Sequence, residues 1–394
     1  MAAGRLGQNQ ESIQATNRSL VLELIHKEKV CSRAYLAKNS GLQPATVTYI
    51  VNDLMRLGVI EESGFIQGEK GRRSIGVSIS PKNFCVLAIR LTRVGYLLAL
   101  FNLRGELIEE RSFSNSDKSR PNESIADVIA NAVGLVDDNQ SYKPLSICIA
   151  VPGPFNAVEE EIVLMTGAEV WNMKAMRYDL EKAFDLPVMM IHDANAGALC
   201  QYWMNDQRLS KGTAVYVSVG QGVGCGVLVN GEVLEGNLGF AGEIGHMSIN
   251  FDGYECACGN RGCLERYTSS TALVAIINEK YATDLTFRQI ADEIGKGNDA
   301  FMSEYRTCCR YLGQGAVNII NCFNPAVIVF GDEMTRIAPD LLLSIVKDEV
   351  DRRTLPQIHS TTTLSVDKNR RSAELYGAGV VAIRYVFDHI ADML

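Results

Sequence analysis

Gly242-Glu243-Ile244-Gly245-His246, followed ten residues after the histidine by Cys256-Ala257-Cys258-Gly259-Asn260-Arg261-Gly262-Cys263-Leu264-Glu265, decides how this 394-residue chain is read. Three cysteines stand within eight positions, and thiolates plus an imidazole are the donors zinc prefers. Gly259 and Gly262 are turn formers that let Cys256, Cys258 and Cys263 converge, while His246 closes a tetrahedral shell. Four protein ligands leave no position open for water. The expected Zn2+ is therefore structural, one per chain, and orders the loop that carries Glu243 and Glu265. The bland alternative is three free thiols in a buried turn; spacing this tight, without secretory features, favours the metal.

The other eight cysteines, Cys31, Cys85, Cys148, Cys200, Cys225, Cys308, Cys309 and Cys322, stand singly or in apolar surroundings and are expected to be reduced core residues. The first twenty residues hold no apolar signal core, and no apolar run approaches bilayer length. A cytoplasmic protein without membrane contact is expected, and the length suits two or three domains. Charge divides the chain. Residues 1–82 carry 11 Lys/Arg against 7 Asp/Glu, whereas the whole chain has a net charge of −8. Nucleic-acid contact is thus expected of the head alone.

Pattern strengthens that expectation. From Asn17 the chain predicts three helices: the first carries Leu20, Leu22, Leu24 and Ile25, and Ser32 caps the second, which opens on Arg33. Gly41 turns the chain into the third. That helix begins at Pro44 with Gln43 at its cap, and Val47, Ile50, Val51 and Leu54 form its buried stripe. Thr46, Thr48, Tyr49 and Asn52 occupy the opposite face. A helix, a glycine turn and a second helix with small polar residues exposed near its N-terminus suit a DNA major groove. Two wing strands are expected from Val59–Ile66 and Ser74–Ile79, joined by a loop whose Lys70, Arg72 and Arg73 suit phosphate or minor-groove contact.

After Pro81 strands and helices alternate in an α/β pattern. Strands are expected at 84–91, 94–101, 106–112, 145–151 and 188–191, with helices at 123–137 and 174–184. A second series has strands at 213–219, 224–229, 232–234 and 326–330, with helices at 268–280, 286–295 and 300–323. The turn Asn102-Leu103-Arg104-Gly105 is echoed by Asn230-Gly231, which suggests a duplicated lobe with a cleft between the halves.

The Gly-Glu-x-Gly-His run, the cysteine stretch ending at Glu265, Asp193-Ala194-Asn195 and Asn321-Cys322-Phe323-Asn324-Pro325 together resemble the ROK family of repressors, open reading frames and kinases. The likeness covers essentially the whole chain. It implies a winged helix-turn-helix over 1–80 and a two-lobed, actin-like, hexokinase-type body. The first lobe is expected over 81–196, completed by the helix 375–394, and the second over 197–374. The basic wing beside the helix at Pro44 resembles the sugar-responsive repressor branch, which includes the N-acetylglucosamine and xylose repressors.

Kinases of this family carry an Asp-x-Gly-x-Thr phosphate loop on the first hairpin of the first lobe. Here that stretch reads Ile89-Arg90-Leu91-Thr92-Arg93-Val94, with Arg90 in the acid's place and Thr92 in the first glycine's. The family kinases also show Gly-Gly where this chain has Gly331-Asp332. Both departures argue against ATP-dependent phosphoryl transfer, leaving a sugar kinase with a DNA-binding head as the alternative. The run Gly220-Gln221-Gly222-Val223-Gly224-Cys225-Gly226 is read as hairpin geometry in which glycines permit positive φ.

The resemblance implies that a sugar is held by residues matching Asn172, Asp193, Glu243, His246 and Glu265, with the Gly153 turn close by. Carboxylates accept hydrogen bonds from adjacent hydroxyls. His192 precedes Asp193 where many relatives have Asn, and Arg90 or Arg93 is a candidate cation for a phosphorylated sugar. The expected partners are a double-stranded DNA operator, a sugar or sugar-phosphate effector, and a second copy of the chain in a homodimer, or a tetramer built from two of them.

Overall fold

The structure, a computed structural model, describes residues 10–67, 73–115, 120–165, 169–204, 212–369 and 371–394. Its head contains α1 (Gln10–Glu28), β1 (Cys31–Ser32), α2 (Arg33–Ser40), α3 (Pro44–Arg56), β2 (Ile60–Gln67) and β3 (Arg73–Ile79). Local chemistry sets these boundaries. The Ser32 hydroxyl accepts from Tyr35 N at 3.1 Å, Gly41 ends α2 at φ 72°, and Pro44 opens α3 behind an extended Gln43. Val47, Ile50, Val51 and Leu54 are buried as the helical period requires. The wing strands pair antiparallel, with a register shift between Glu62 and Phe65. Two-residue β1 completes a sheet ordered β1-β3-β2 and has no periodicity by which sequence could announce it.

The body repeats one topology. In the first lobe, β4 (Asn83–Leu91), β5 (Gly95–Asn102), β6 (Leu107–Ser114), α4 (Ile125–Asp137) and β7 (Tyr142–Val151) precede a small hairpin of β8 (Phe155–Asn156) and β9 (Glu161–Ile162). Then come α5 (Met173–Phe184), β10 (Val188–His192) and α6 (Asp193–Met204). The second lobe contains β11 (Thr213–Val219), β12 (Val223–Val229) and β13 (Glu232–Val233), then α7 (Glu265–Thr268), α8 (Ser270–Tyr281), α9 (Phe287–Gly295) and α10 (Asp299–Phe323). It closes with β14 (Val327–Gly331), α11 (Pro339–Arg353), α12 (Pro356–His359) and β15 (Thr363–Val366), before α13 (Ala373–Met393). The sheets run β6-β5-β4-β7-β10 and β13-β12-β11-β14-β15. In each, three antiparallel strands are followed by two parallel ones. The echoed turns carry the same device, a left-handed glycine at Gly105 (φ 79°) and at Gly231 (φ 87°). This is the two-lobed actin-like body.

Burial joins head and body. Val21, Leu22 and Ile25 of α1 share one core with Val47 and Leu54 of the head, Val86 and Phe101 of the first lobe, and Ile383 and Phe387 of α13. Each such side chain contributes about 1.5–3 kcal/mol when fully buried. The β5–β6 turn adds a polar clamp: Arg104 Nε donates to Ile79 O at 2.6 Å and its Nη2 pairs with Glu61 at 3.0 Å.

A lobe boundary at 196 falls inside α6, which continues to Met204. That helix is lined with buried small residues, among them Ala194, Ala196 and Ala198, so no polar face marks its period. Cys322 departs from the expectation for the cysteines: it is exposed, while the other seven outside the metal cluster are buried. Its place on the last turn of α10 faces it outward. Among the described residues no helix is long and apolar enough to cross a membrane.

Candidate functional site

The two lobes meet along a cleft of about 150 Å³, smaller than the roughly 300–1,000 Å³ of drug-sized sites. The first-lobe turn after β4 and the second-lobe turn after β11 face one another there. Arg93 joins them, its Nη1 donating to Gln221 O at 3.0 Å and its backbone N to Gln221 Oε1 at 3.3 Å. Glu265, at the start of α7, receives Arg93 Nη2 at 3.4 Å and Val223 N at 3.2 Å.

Asp193, Glu243, His246, Glu265 and Gly153 all line this cleft, as the resemblance implied. Two glycines explain how Glu243 and His246 reach it. A Cβ on Gly242 would lie 2.4 Å from Cys225 O, and one on Gly245 2.1 Å from Val223 O, so only glycines allow this turn to press onto β12. Asn172 is absent from the lining. It is exposed, and its Oδ1 caps α5 by accepting from Ala175 N at 3.1 Å. An Asn immediately before a helical run is the capping signature that could have assigned it.

The acids are electrostatically distinct. Burial pushes Asp193 up to about 6, opposed by the Arg90 charge, and burial likewise raises Glu243. His192, with Nε2 3.4 Å from Asp193 Oδ1, is lowered by burial and lines the same wall. Carboxyl groups of this kind, beside an imidazole, can grip a polyhydroxylated ligand.

The side of the cleft formed by the end of β4 is filled from within. Arg90 Nη2 lies 2.7 Å from Asp332 Oδ2, its Nη1 3.1 Å from Glu374 Oε2 and 2.9 Å from Ser372 Oγ. Burial opposes the charge on Arg90, but Asp332, Glu374 and Asp193 more than restore it. Arg90 and Arg93, the candidate cations for a sugar phosphate, are thus already paired with carboxylates. Ser218 and Tyr216 donate to Glu374 at 2.9 Å each, completing a buried network absent from the sequence reading.

The glycine run also differs from expectation. Gly220, Gly222, Gly224 and Gly226 do not have positive φ. Their reason is proximity: a Cβ on Gly220 would lie 2.5 Å from the Asp332 carboxylate, on Gly222 2.9 Å from Glu265, and on Gly226 2.2 Å from Ala194 O.

Behind the acids, the donor atoms of His246, Cys256, Cys258 and Cys263 all lie within 4.8 Å of one another. Cys258 Sγ is 3.7 Å from Cys263 Sγ, and Cys256 Sγ is 3.7 Å from His246 Nδ1. A tetrahedron with metal–sulfur bonds of about 2.3 Å has edges of about 3.8 Å, which these two pairs match, so the four residues could hold a metal. Gly259 (φ 89°) and Gly262 (φ 69°) make the turns, and a Cβ on Gly262 would sit 1.7 Å from Asn250 O.

On the head, Gln43, Pro44, Thr48, Tyr49 and Asn52 are exposed and Thr46 half-buried, all on α3 or its cap. Thr48 returns its hydroxyl to Pro44 O at 2.8 Å. Arg33 Nη2 donates to Asn52 Oδ1 at 3.3 Å, and Arg73 is exposed at the start of β3. Lys70 and Arg72 lie outside the described residues. Gln14, Asn17 and Arg18 of α1 share a groove with Thr46 and Tyr49, a neighbourhood the reading of α3 alone omitted.

Against known proteins, residues 86–384 match the ROK family and residues 16–61 the winged helix-turn-helix DNA-binding family. The xylose repressor of Bacillus subtilis (strain 168) is 27% identical over 389 residues, covering 98% of each chain. The N-acetylglucosamine repressor of Escherichia coli O157:H7 is 26% identical over 393 residues, covering 97% of this chain and 91% of that one. A crystal structure described as a ROK family transcriptional regulator, homologous to the E. coli MLC protein, superposes with a TM-score of 0.80. It is 26% identical and covers 97% of this chain and 98% of its own.

Proposed function

This chain belongs to the ROK family, and from that premise we propose that it is a DNA-binding transcriptional repressor whose hold on its operator answers to a sugar in the interlobe cleft. The observation that carries the reading is a winged head sharing one core with a body whose acid-lined pocket retains Asp193, Glu243, His246 and Glu265. Arg90, locked to Asp332 and Glu374 where a kinase's phosphate loop would lie, favours a regulator over the kinase alternative and a binding role for Asp193 over a catalytic one.

The effector is a free monosaccharide. Both cleft arginines are paired, and the acids lining the wall outnumber them, which disfavours a phosphate ester. The 3.7 Å cluster edges support Zn2+, one per chain, which would fix the loop between Glu243 and Glu265. With Nδ1 turned to Cys256, His246 keeps Nε2 for the cleft it lines. Two heads in a homodimer, or in a tetramer of two dimers, would set α3 into successive major grooves with Gln43, Pro44, Thr46, Tyr49 and Asn52 against the bases. Arg33, Thr48 and Arg73 would hold the flanking backbone, as would Lys70 and Arg72 of the wing loop. The head spans 1–80. The first lobe would be 81–196 with the last helix and the rest of α6 to Met204, and the second would take the remainder up to 374. The setting is the cytoplasm.

The test is a melting-temperature screen of zinc-loaded protein against D-xylose, D-glucose, N-acetylglucosamine and their phosphate esters, with and without Mg-ATP. Stabilisation by one free sugar and none by Mg-ATP supports the reading. Stabilisation or consumption of Mg-ATP overturns it in favour of the kinase.

A further inference from the structure

We infer that Arg90 is a positioning residue that transmits occupancy of the cleft to the DNA-binding head, by holding the pocket end of α13, which moves with the adjacent α6 and with it grips α1 at the far end. The inference rests on the sugar reading of the cleft.

The helices run side by side. Asp193, in the cleft wall, opens α6, and Glu374 lies in the first turn of α13. Arg90 lines the same cleft as Asp193 and is bonded to Glu374 and Ser372 at the start of α13. A Cβ on Gly377 of α13 would lie 1.8 Å from Ala196 O of α6, so the two backbones touch and the pair moves together. Ten residues on, α6 has risen about 15 Å to Trp203, and thirteen residues beyond Glu374, α13 has risen about 20 Å to Phe387. There His26 of α1 is held between them, 4.1 Å from the Trp203 ring and 6.1 Å from that of Phe387. Ser19 of α1 donates to Asp388 one residue further on.

Arg90 itself lines the cleft, so a ligand seated there bears on its guanidinium. The guanidinium then shifts against Glu374 and Ser372, and α13 moves at the pocket together with the α6 packed on it. Because α1 packs on both, the shift reaches the head without passing through solvent-exposed chain.

Trp171 and Trp203, the chain's two tryptophans, stand at opposite ends of this route. Trp171 Nε1 donates to Thr92 O beside the cleft at 3.2 Å, whereas Trp203 sits against His26. Fluorine NMR of the full chain labelled with fluorotryptophan, assigned with Trp203→Phe, therefore reads binding and transmission separately. Titration with D-xylose, D-glucose or N-acetylglucosamine is expected to move both resonances in the wild type. In Glu374→Gln, which lies outside the cleft wall and keeps its hydroxyl partners, the Trp171 shift should saturate at the same sugar concentration while the Trp203 shift falls at least about threefold. Ser372→Ala, which removes an Arg90 partner without touching a charge, should act in the same direction if Glu374→Gln folds poorly. An undiminished Trp203 shift in these variants, or a wild-type Trp203 that stays still while Trp171 saturates, overturns the inference. A Trp171 resonance unmoved by all three sugars takes down the sugar reading, and the inference with it.

Discussion

Arg90 Nη2 lies 2.7 Å from Asp332 Oδ2, so one buried ion pair ties the end of β4 to the turn after β14. Asp332 holds φ 72° and ψ −171°, a region that is essentially glycine's and costs other residues about 1–3 kcal/mol. It is kept there by Arg90, by Ser218 at 3.2 Å and by its own Oδ1 accepting from Glu333 N at 2.8 Å. Arg90 thus helps to explain why a non-glycine residue is tolerated in this backbone conformation.

Removing either partner should have unequal effects. Arg90→Ala strands two buried carboxylates, Asp332 and Glu374, and is expected to cost about 3–5 kcal/mol. Asp332→Gly relieves the backbone and leaves Arg90 with Glu374, so it should cost less than half as much. In urea unfolding the double variant should be more stable than the sum of the singles predicts, by about 1 kcal/mol or more. Additive effects would mean that the pair does not hold Asp332 in place.

Asp193 gives the cleft a pH dependence. Its carboxyl ionises near 3.8 without the fold's influence and near 6 within it, because burial disfavours the charge. Folding therefore favours the protonated form: this contribution is complete below about 4 and lost as pH rises through 6. Asp193→Asn should raise stability at pH 7.5 by about 1–3 kcal/mol. Sugar affinity runs the other way, because hydroxyls donate best to the carboxylate, and should fall severalfold between pH 7.5 and 5.5. Calorimetric titration across that range checks both, and a flat profile for the wild type would exclude Asp193 as the acceptor.

What was legible in the sequence is what local chemistry writes. Pro44, Gly41 and the stripe Val47, Ile50, Val51 and Leu54 announced α3, and ligands packed into Cys256–Cys263 announced the metal cluster. The Arg90 network was illegible because its partners lie 242 and 282 residues away, and nothing near Ser372 or Glu374 distinguishes them from an ordinary helix start. Glycines were seen but their reason was not. A sequence shows a missing Cβ without showing whether φ or a neighbour such as Asp332 demands it.

Metal removal should separate affinity from folding. Cys258 is the exposed member of the cluster, so Cys258→Ser disturbs the core least. The variant is expected to lose bound zinc by elemental analysis and to bind sugar at least about tenfold more weakly, because the segment presenting Glu243 and Glu265 is no longer tied. Its far-ultraviolet circular dichroism should be unchanged, since none of the four ligands belongs to the core of either lobe. Wild-type sugar affinity in a zinc-free protein would make the cluster irrelevant to the effector.

The head offers two kinds of contact that salt distinguishes. Tyr49 is 60% exposed on α3, and Asn52 is exposed one turn further along the same helix. Asn52→Ala should relax base preference at one operator position by about 1–3 kcal/mol while leaving the salt dependence intact. Arg73 is exposed at the start of wing strand β3. Arg73→Ala should instead weaken binding to all sequences alike and reduce the slope of log affinity against log salt by about 1. Fluorescence anisotropy on the duplex upstream of the protein's own gene, from 50 to roughly 200 mM salt, reads both quantities. If Asn52→Ala changed the slope and Arg73→Ala the base preference, the groove and backbone roles assigned to α3 and the wing would have to be exchanged.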